Sequence, residues 1–250
     1  MGCSQSSAQI ETTDPVIIDP SDSRIQHYVL NDGRALVNVK VLNMKYLHET
    51  KDTKLTNLIN NCMGQANFSV VANYLKSKGL TQKELEVVGL DKLAIKSYTG
   101  NDLYAEVNHA LNISELSTNQ AEFVKLLCRA LIRFGGAAAY KLPNKVYRRV
   151  NCEEESVLGY CLSYGKQICF RTFISTTKSE AVLKRWIGNL VFEIDLSEKG
   201  KGADITEMSQ FVEEQEVLLI PNQVFTITGI VRDEDLPYAI CKLKCVKDIE

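Results

Sequence analysis

Long apolar runs and net charge are both scarce in this sequence of 250 residues. No run of apolar residues approaches the ~18 that a membrane-spanning helix needs, so we expect no part of the chain to cross a bilayer. The formal net charge is −2 with histidine counted as neutral. Because this balance creates no basic field that would attract a phosphate backbone, nucleic acid is not an expected partner.

Motifs for metals and for common nucleotide-binding folds are absent as well. The sequence has three histidines and eight cysteines, but no Cys-x-x-Cys pair and no histidine with a partner at metal-ligand spacing, so we expect no metal site. No Gly-x-Gly-x-x-Gly follows a β-prone run, and no Walker loop, Gly-x-Ser-x-Gly elbow or His-Glu-x-x-His occurs. No secretory leader precedes the cysteines, which indicates reduced thiols in a cytosolic chain.

The first six residues, Met-Gly-Cys-Ser-Gln-Ser, match a pattern for N-terminal acylation. Gly2 would receive one acyl chain after removal of the methionine, and Cys3 stands where a second chain can be added. The second chain matters because one myristoyl group binds membranes only marginally. We therefore predict a lipid anchor on the cytoplasmic face of a membrane, and a cytoplasmic protein otherwise. The alternative is a chance match in an unstructured tail.

The N-terminal third of the sequence changes from polar to helical patterning. Residues 1–23 are rich in Ser, Thr, Gln, Asp and Pro, which predicts a flexible tether. A turn signal at residues 31–33 between two β-prone runs predicts a hairpin. Apolar residues at steps of three and four predict amphipathic helices over residues 54–75. Thr81 followed by Glu84 predicts a capping box at the start of another helix.

The rest of the sequence predicts helices first and strands afterwards. We expect two helices broken at residues 99–101, and a further helix over residues 119–134 with its apolar residues on one face. After Pro143 the chain turns to short β-prone runs separated by polar turns, so the sequence predicts an α+β fold. The last run, which starts at Tyr238, alternates lysine with apolar residues and is typical of an edge strand with its charges outward.

Three fragments of the β-prone part stand out by their order along the chain. They are Arg148 in VYRRVN, the triplet 175–177 in FISTTKS, and the triplet 214–216 in FVEEQEVLLIP. Alone, a Glu-rich loop is typical of a solvated turn and an arginine pair of a surface edge. Together they resemble the arginine, Ser-Thr-Ser and Glu-x-Glu signature of the arginine-specific ADP-ribosyltransferase family of toxins and eukaryotic enzymes. The stretches ADITEMSQF and YTGNDLYAEVNHAL are similar to two further segments of that family.

This resemblance implies a specific form of the α+β fold. A helical N-terminal region would pack on a two-sheet β core of the ADP-ribosyltransferase type, with NAD bound in a cleft as a substrate. The resemblance covers the part of the chain from Leu85 onward. It divides the chain into a flexible acylated tether at 1–23, an N-terminal region of unknown role at 24–84, and a catalytic domain at 85–250.

The family's residue roles transfer to the matching positions. Glu216, beside the ribose, would stabilise the positive charge that develops as the bond to nicotinamide breaks. Arg148 offers a planar, always-charged fork of donors suited to a pyrophosphate. Ser175 would hold Glu216 in position, and Thr177 would support the same network. The predicted NAD-binding residues are thus Arg148, Arg149, Ser175, Thr176, Thr177 and Glu216, and the predicted catalytic residues are Arg148, Ser175, Glu214 and Glu216.

Glu214 is the predicted acceptor-side residue. An arginine guanidinium stays protonated and is a poor nucleophile, so a second carboxylate must orient it and help remove a proton. In an extended segment, residues two apart face the same side, which predicts that Glu214 and Glu216 lie over one cleft. The resemblance implies that a family member with glutamine at this position would prefer asparagine or cysteine, so glutamate at position 214 indicates an arginine acceptor. The predicted reaction transfers ADP-ribose from NAD to an arginine-bearing protein and releases nicotinamide.

Two other functions remain open at the level of the sequence. In an NAD glycohydrolase, water would take the place of the acceptor arginine. In a membrane-tethered, catalytically inactive NAD-binding or interaction module, turnover would be lost. Arg149 favours the second alternative, because the family usually has a small residue after the key arginine. Thr177 replaces the second serine of the family's triplet but keeps the hydroxyl.

Overall fold

A computed structural model describes residues 15–17, 41–43, 53–60, 66–161, 163–197, 200–232 and 236–246. Within these ranges, no helix has both the length and the apolar character that crossing a membrane requires. The predicted acylation residues Gly2 and Cys3 and the predicted turn at residues 31–33 lie outside the described residues. The strand β1 (Pro15–Ile17) pairs antiparallel with β2 (Val41–Asn43). The predicted division of the chain into a tether at 1–23, an N-terminal region at 24–84 and a catalytic domain at 85–250 stays a prediction.

Helices form the first layer of the structure. They are α1 (Thr53–Asn60), α2 (Phe68–Ser77), α3 (Gln82–Val88), α4 (Leu90–Tyr98), α5 (Asn101–Asn112) and α6 (Thr118–Gly135). The break predicted at residues 99–101 is confirmed, because α4 ends and α5 begins there. The predicted capping box is also confirmed: the Thr81 hydroxyl accepts from the Glu84 amide, and the Glu84 carboxylate accepts from the Thr81 amide. These contacts satisfy two of the N–H groups that a helix start leaves unpaired.

The helix α6 is the centre of this helical layer. Its predicted apolar face is confirmed by five fully buried side chains: Phe123, Leu126, Leu127, Ala130 and Leu131. They share one core with residues of the other helices and with Ala203, Ile205, Leu218 and Ile220 from the β-rich part. The helical layer is therefore packed directly on strands, as the α+β prediction requires.

The second layer is β-rich. Its strands are β3 (Lys145–Val150), β4 (Gln167–Phe170), β5 (Ile174–Thr177), β6 (Leu190–Asp195), β7 (Gly202–Asp204), β8 (Glu216–Leu219), β9 (Gln223–Arg232) and β10 (Ala239–Cys245). They are hydrogen-bonded in the order β4-β9-β10-β6-β3-β5-β8-β7. Two short helices, α7 (Glu154–Cys161) and α8 (Glu180–Arg185), interrupt the strands.

The sheet is divided between β3 and β5. Those strands share a single residue pair, Tyr147 with Thr177, whereas β3 and β6 are paired along six residues from Lys145 to Val150. The two halves face each other across a second core, which takes Val217 and Leu219 from β8. Leu218 points the opposite way, into the core of the helical layer. The two-sheet core predicted from the family resemblance is thus present, with β8 buried on both faces.

One expectation from the sequence is wrong, and two short helices were not predicted. The strand β10 is not an edge strand, because it lies between β9 and β6 and is parallel to β6. Its lysines do alternate with buried residues such as Cys241 and Leu243. The alternation therefore shows that one face of β10 is buried, and it does not show that β10 lies at the edge of the sheet. Helices α7 and α8 were not predicted. Each is too short to show a helical period that differs clearly from a polar turn.

The helical layer meets the β-rich layer at a glycine. A Cβ atom placed on Gly135, the last residue of α6, would lie 1.9 Å from the carbonyl oxygen of Gly202 at the start of β7. Only a residue without a side chain allows the two backbones to approach so closely. The neighbouring Gly136 has more room, since its Cβ would have no contact shorter than 3.6 Å.

The substitution Gly135→Ala is therefore expected to lower the free energy of unfolding by about 1–3 kcal/mol, the range typical of an overpacked contact. The matched control is Gly136→Ala, which is expected to change it by no more than about 0.5 kcal/mol. Urea denaturation followed by circular dichroism measures both. Equal stability of the two variants would contradict the close approach of α6 to β7.

Candidate active site

Glu216 is a buried carboxylate at the first position of β8. Its side chain is 5% exposed and lies on the same face of β8 as Leu218, the face turned to the helical layer. The Ser175 hydroxyl donates to Oε1 at 2.7 Å, and the Ser209 hydroxyl donates to Oε2 at 3.0 Å. Each carboxylate oxygen thus has its own donor.

The pKa of Glu216 is raised from its ordinary value, and burial is the largest cause. The hydroxyls of Ser175 and Ser209 oppose this shift, because both donate to the charged form. The charge of Glu214 raises the pKa further, and the charge of Arg148 lowers it. Glu216 is therefore a carboxylate that water does not stabilise and that depends on protein donors for its charge.

Arg148 brings a positive charge to the same place. It lies on β3, and its Nη1 donates to the backbone carbonyl of Ser175 at 2.8 Å. This bond crosses the division of the sheet, from β3 to β5. The arginine and the Ser175–Glu216 pair predicted from sequence are thus brought together, although they stand far apart in the chain.

The triplet 175–177 has three different partners. Ser175 donates to Glu216, as predicted. The Thr176 hydroxyl is fully buried and donates to the carbonyl of Val217, so it ties β5 to β8. The Thr177 hydroxyl donates to the carbonyl of Glu214 at 2.8 Å and accepts from the amide of Ser179. Thr177 therefore holds the backbone that carries Glu214 rather than the carboxylate of Glu216.

Glu214 lies near Glu216, but the reason given by the sequence is wrong. The segment is not extended: Val212–Glu214 is a short 3-10 helix, and Gln215 has the left-handed conformation with φ 47° and ψ 51°. Glu214 is partly buried, and this burial raises its pKa, with the charge of Glu213 acting in the same direction and that of Arg185 against it. A turn, not strand alternation, brings the two carboxylates close enough to interact.

Arg149 is not brought to this group. Its Nε donates to the carbonyl of Gly188, and its guanidinium lies 4.3 Å from the centre of the Tyr238 ring. Successive residues of a strand face opposite sides, so Arg148 and Arg149 diverge. Of the predicted site residues, Arg148, Ser175, Glu214 and Glu216 are gathered together, with Thr177 behind Glu214. Arg149 and Thr176 have other partners, and their NAD-binding roles stay predictions.

Residues that sequence reasoning did not select also surround Glu216. Ser209 is one, and Tyr98 at the end of α4 is another. The Tyr98 ring is fully buried against Phe173, at 5.0 Å between ring centres, and burial raises the pKa of its hydroxyl well above the ordinary value. The charge of Glu216 raises this pKa further and the charge of Arg148 lowers it, so both groups act on the Tyr98 hydroxyl. Tyr98 and Asn108 belong to the stretch YTGNDLYAEVNHAL. This stretch is similar to the family in sequence, but the resemblance assigns no function to its residues.

The donor set suits a polar, anionic ligand. The Tyr98 hydroxyl and the Asn108 side chain are buried polar groups that interact with each other, and the hydrogen bond with Asn108 opposes the rise in the pKa of Tyr98. Arg148 supplies the cationic fork that a phosphate requires. This combination fits a dinucleotide such as NAD, whereas no three His, Cys, Asp or Glu residues of the described chain are placed to hold a metal ion.

Solved structures with the same architecture include ADP-ribosyltransferases. HopU1 of Pseudomonas syringae pv. tomato is 19% identical over 80% of this chain and 91% of that chain, with a TM-score of 0.56. C3stau2 of S. aureus, solved with NAD, is 19% identical over 81% and 100%, with a TM-score of 0.52. The Paenibacillus larvae toxin Plx2a is 15% identical over 76% and 96%, with a TM-score of 0.51. At these identities the likeness establishes the fold alone.

The sequence profile of the NAD:arginine ADP-ribosyltransferase family matches residues 52–247. The chain belongs to this family, and so to the class of enzymes that transfer ADP-ribose from NAD. A sequence search of curated proteins gives no match. The family match begins at residue 52, one residue before α1, so it includes helices that lie ahead of the segment recognised from the sequence.

The raised pKa of Glu216 predicts how its replacement by glutamine changes stability. A carboxyl whose pKa is raised by folding stabilises the native state below its ordinary pKa, and this contribution is lost as the pH rises through the raised value. The stability of Glu216→Gln relative to the native protein is therefore expected to increase from about pH 4 upward and then to level off.

Urea denaturation of both proteins at a series of pH values gives this difference. Groups that titrate equally in both cancel, so the comparison isolates Glu216 and the groups coupled to it. A stability difference that stays constant between about pH 4 and pH 8 would show that burial does not raise the pKa.

Proposed function

We propose that this protein transfers ADP-ribose from NAD to the side chain of an arginine in an acceptor protein, with release of nicotinamide. The observation that carries the proposal is the pairing of two carboxylates with different surroundings. Glu216 is buried and held at both oxygens, whereas Glu214 is partly buried in an adjoining turn. Such a pair can serve a reaction with two substrates, with one carboxylate acting on each.

The donor half of the reaction belongs to Glu216 and Arg148. Arg148 binds the pyrophosphate of NAD in this proposal, which is supported by its always-charged fork of donors and by its bond to the Ser175 carbonyl of β5. As the bond between the ribose and nicotinamide breaks, its electron pair leaves with nicotinamide, and positive charge develops on the ribose. The carboxylate of Glu216 stabilises that charge, most effectively where water is excluded.

The acceptor half belongs to Glu214. An arginine nitrogen forms the new bond to the ribose carbon, and the proton that it loses passes to a nearby carboxylate. The pKa of Glu214 is raised, mainly by burial, which makes it a better proton acceptor than an exposed glutamate. Its charge also attracts the cationic guanidinium. Glutamate at this position favours arginine over an uncharged acceptor, and the family's description supports the same choice.

The position of Arg149 no longer favours the alternative of a catalytically inactive NAD-binding or interaction module. That alternative depended on the bulk of Arg149 beside Arg148, and the Arg149 side chain is directed toward Tyr238 and Gly188 instead. The glycohydrolase alternative shares the whole donor half, so only Glu214 separates it from transfer.

We also propose, from Gly2 and Cys3 alone, that the chain is anchored to the cytoplasmic face of a membrane by two acyl groups.

The roles of the two carboxylates predict different losses. Glu216→Gln is expected to reduce nicotinamide release, with or without an acceptor, by at least about a hundredfold. Glu214→Gln is expected to reduce transfer to agmatine, an analogue of the acceptor arginine, by about a hundredfold or more. It should spare most of the hydrolysis of NAD. Both are measured with radiolabelled NAD, as nicotinamide released and as label transferred.

Glu213→Gln is the matched control, because it removes a neighbouring, exposed carboxylate from the same turn. It is expected to keep most of both activities. Equal loss of transfer and hydrolysis in Glu214→Gln would contradict the acceptor role. Nicotinamide release without transfer to any arginine substrate in the native protein would establish the glycohydrolase.

The acylation proposal predicts that Gly2→Ala moves the protein from the membrane fraction to the soluble fraction of eukaryotic cells. Cys3→Ser should weaken membrane association partly, because one myristoyl chain alone binds marginally. Ser7→Ala lies outside the motif and serves as the control. Cell fractionation with an antibody to the chain is the measurement, and a membrane-bound Gly2→Ala protein would refute the anchor.

A further inference from the structure

Ser209 is a second hydroxyl on the carboxylate of Glu216, and it is not part of the three-fragment signature. It lies in the turn between β7 and β8 and is 7% exposed. Its hydroxyl donates to Oε2 of Glu216 at 3.0 Å and accepts from the amide of Phe211 at 3.1 Å. One side chain thus contacts both the carboxylate and the backbone leading to the turn of Glu214.

The turn that carries Ser209 is fastened to the helical layer. The amide of Gln210 donates to the Thr99 hydroxyl at 3.0 Å, and the Gln210 side-chain nitrogen donates to the carbonyl of Lys96 at 3.0 Å. The Thr99 hydroxyl in turn donates to the same Lys96 carbonyl. Lys96 lies in the last turn of α4 and Thr99 follows it. The position of Ser209 is therefore set by α4, in the other layer of the protein.

We propose that Ser209 is a positioning residue for Glu216, and that its attachment to the end of α4 through Gln210 and Thr99 makes the carboxylate orientation depend on both layers. The terminal torsion of a glutamate is broad, so a single hydrogen bond from Ser175 leaves the carboxylate plane free to rotate. A second bond at the other oxygen, from an element fixed elsewhere, removes that freedom. The inference rests on the proposed function, in which Glu216 acts on the ribose of NAD.

The hydrogen bond from Ser209 affects the pKa of Glu216, which can be measured. The Ser209 hydroxyl lowers the pKa of Glu216, so its removal raises that pKa. The charged and titratable groups that also influence Glu216 are Glu214, Arg148 and Tyr98. None of them is removed in a Ser209 variant. The acidic limb of the activity profile, which reports the ionisation of Glu216, should then move to higher pH.

The test is nicotinamide release from NAD by Ser209→Ala over a range of pH. We expect kcat to fall about ten- to a hundredfold at neutral pH, as is typical for loss of a hydrogen bond to a charged group, with KM nearly unchanged. The acidic limb should shift upward. Ser209→Thr retains the hydroxyl and should recover most of kcat and restore the limb. Thr99→Val, which removes the acceptor for Gln210, should shift the limb in the same direction by less.

Ser163→Ala is the matched control, since Ser163 is fully buried and its hydroxyl donates only a structural bond to the carbonyl of Gly159. Its profile should match that of the native protein. A Ser209→Ala enzyme with native kcat and a native acidic limb would overturn the inference. So would a loss that is equal at every pH and unrelieved in Ser209→Thr.

A second readout keeps this inference separate from the proposed function. The carboxyl carbon of Glu216 can be titrated by NMR in protein labelled with 13C-glutamate, with Glu216→Gln to assign the signal. Its midpoint should rise in Ser209→Ala whether or not NAD is turned over. A native protein that releases no nicotinamide would refute the proposed function, whereas an unchanged midpoint would refute the role of Ser209.

Discussion

The burial of one carboxylate is the constraint on which the rest of the site depends. A charged carboxyl in an apolar interior is costly unless donors surround it. Glu216 meets this requirement with hydroxyls from β5 and from the turn before β8, and with the charge of Arg148 nearby. Ser175 and Arg148 are distant from Glu216 in sequence, so the carboxylate has its full set of partners only where β3, β5 and β8 are assembled.

The division of the sheet gives this carboxylate its place. Between β3 and β5 only Tyr147 and Thr177 are paired, so strand pairing between the two halves is limited to this point. The Arg148 bond to the Ser175 carbonyl crosses this division and replaces strand pairing with a side-chain contact. The strand β8 is buried on both faces, which keeps water away from Glu216. Such a low-dielectric setting strengthens every charge interaction within it.

Patterns with a period were predictable from the sequence, whereas contacts that depend on a turn were not. The buried face of α6, the break between α4 and α5, and the capping box at Thr81 follow from spacing and local chemistry. The three signature fragments were identified by resemblance, and the structure gathers them. Ser209 lies in the stretch ADITEMSQF, which resembles the family but gave no role to this serine, because its contact with Glu216 depends on how the turn folds. The edge-strand prediction for β10 was wrong because alternation reports one covered face and not what lies on either side of the strand.

The turn at Glu214 shows why two carboxylates separated by one residue can serve different substrates. Strand alternation would have placed both on one face with similar burial. Instead Gln215 adopts a left-handed conformation, which costs a non-glycine residue about 1 kcal/mol and ends the 3-10 turn abruptly. Glu214 consequently remains on the partly exposed turn while Glu216 enters the buried strand. Because the Thr177 bond to Glu214 uses the backbone carbonyl, the residue at position 214 can vary without disturbing that contact. The acceptor preference proposed for Glu214 is thus separable, in physical terms, from the group around Glu216 that is proposed to act on NAD.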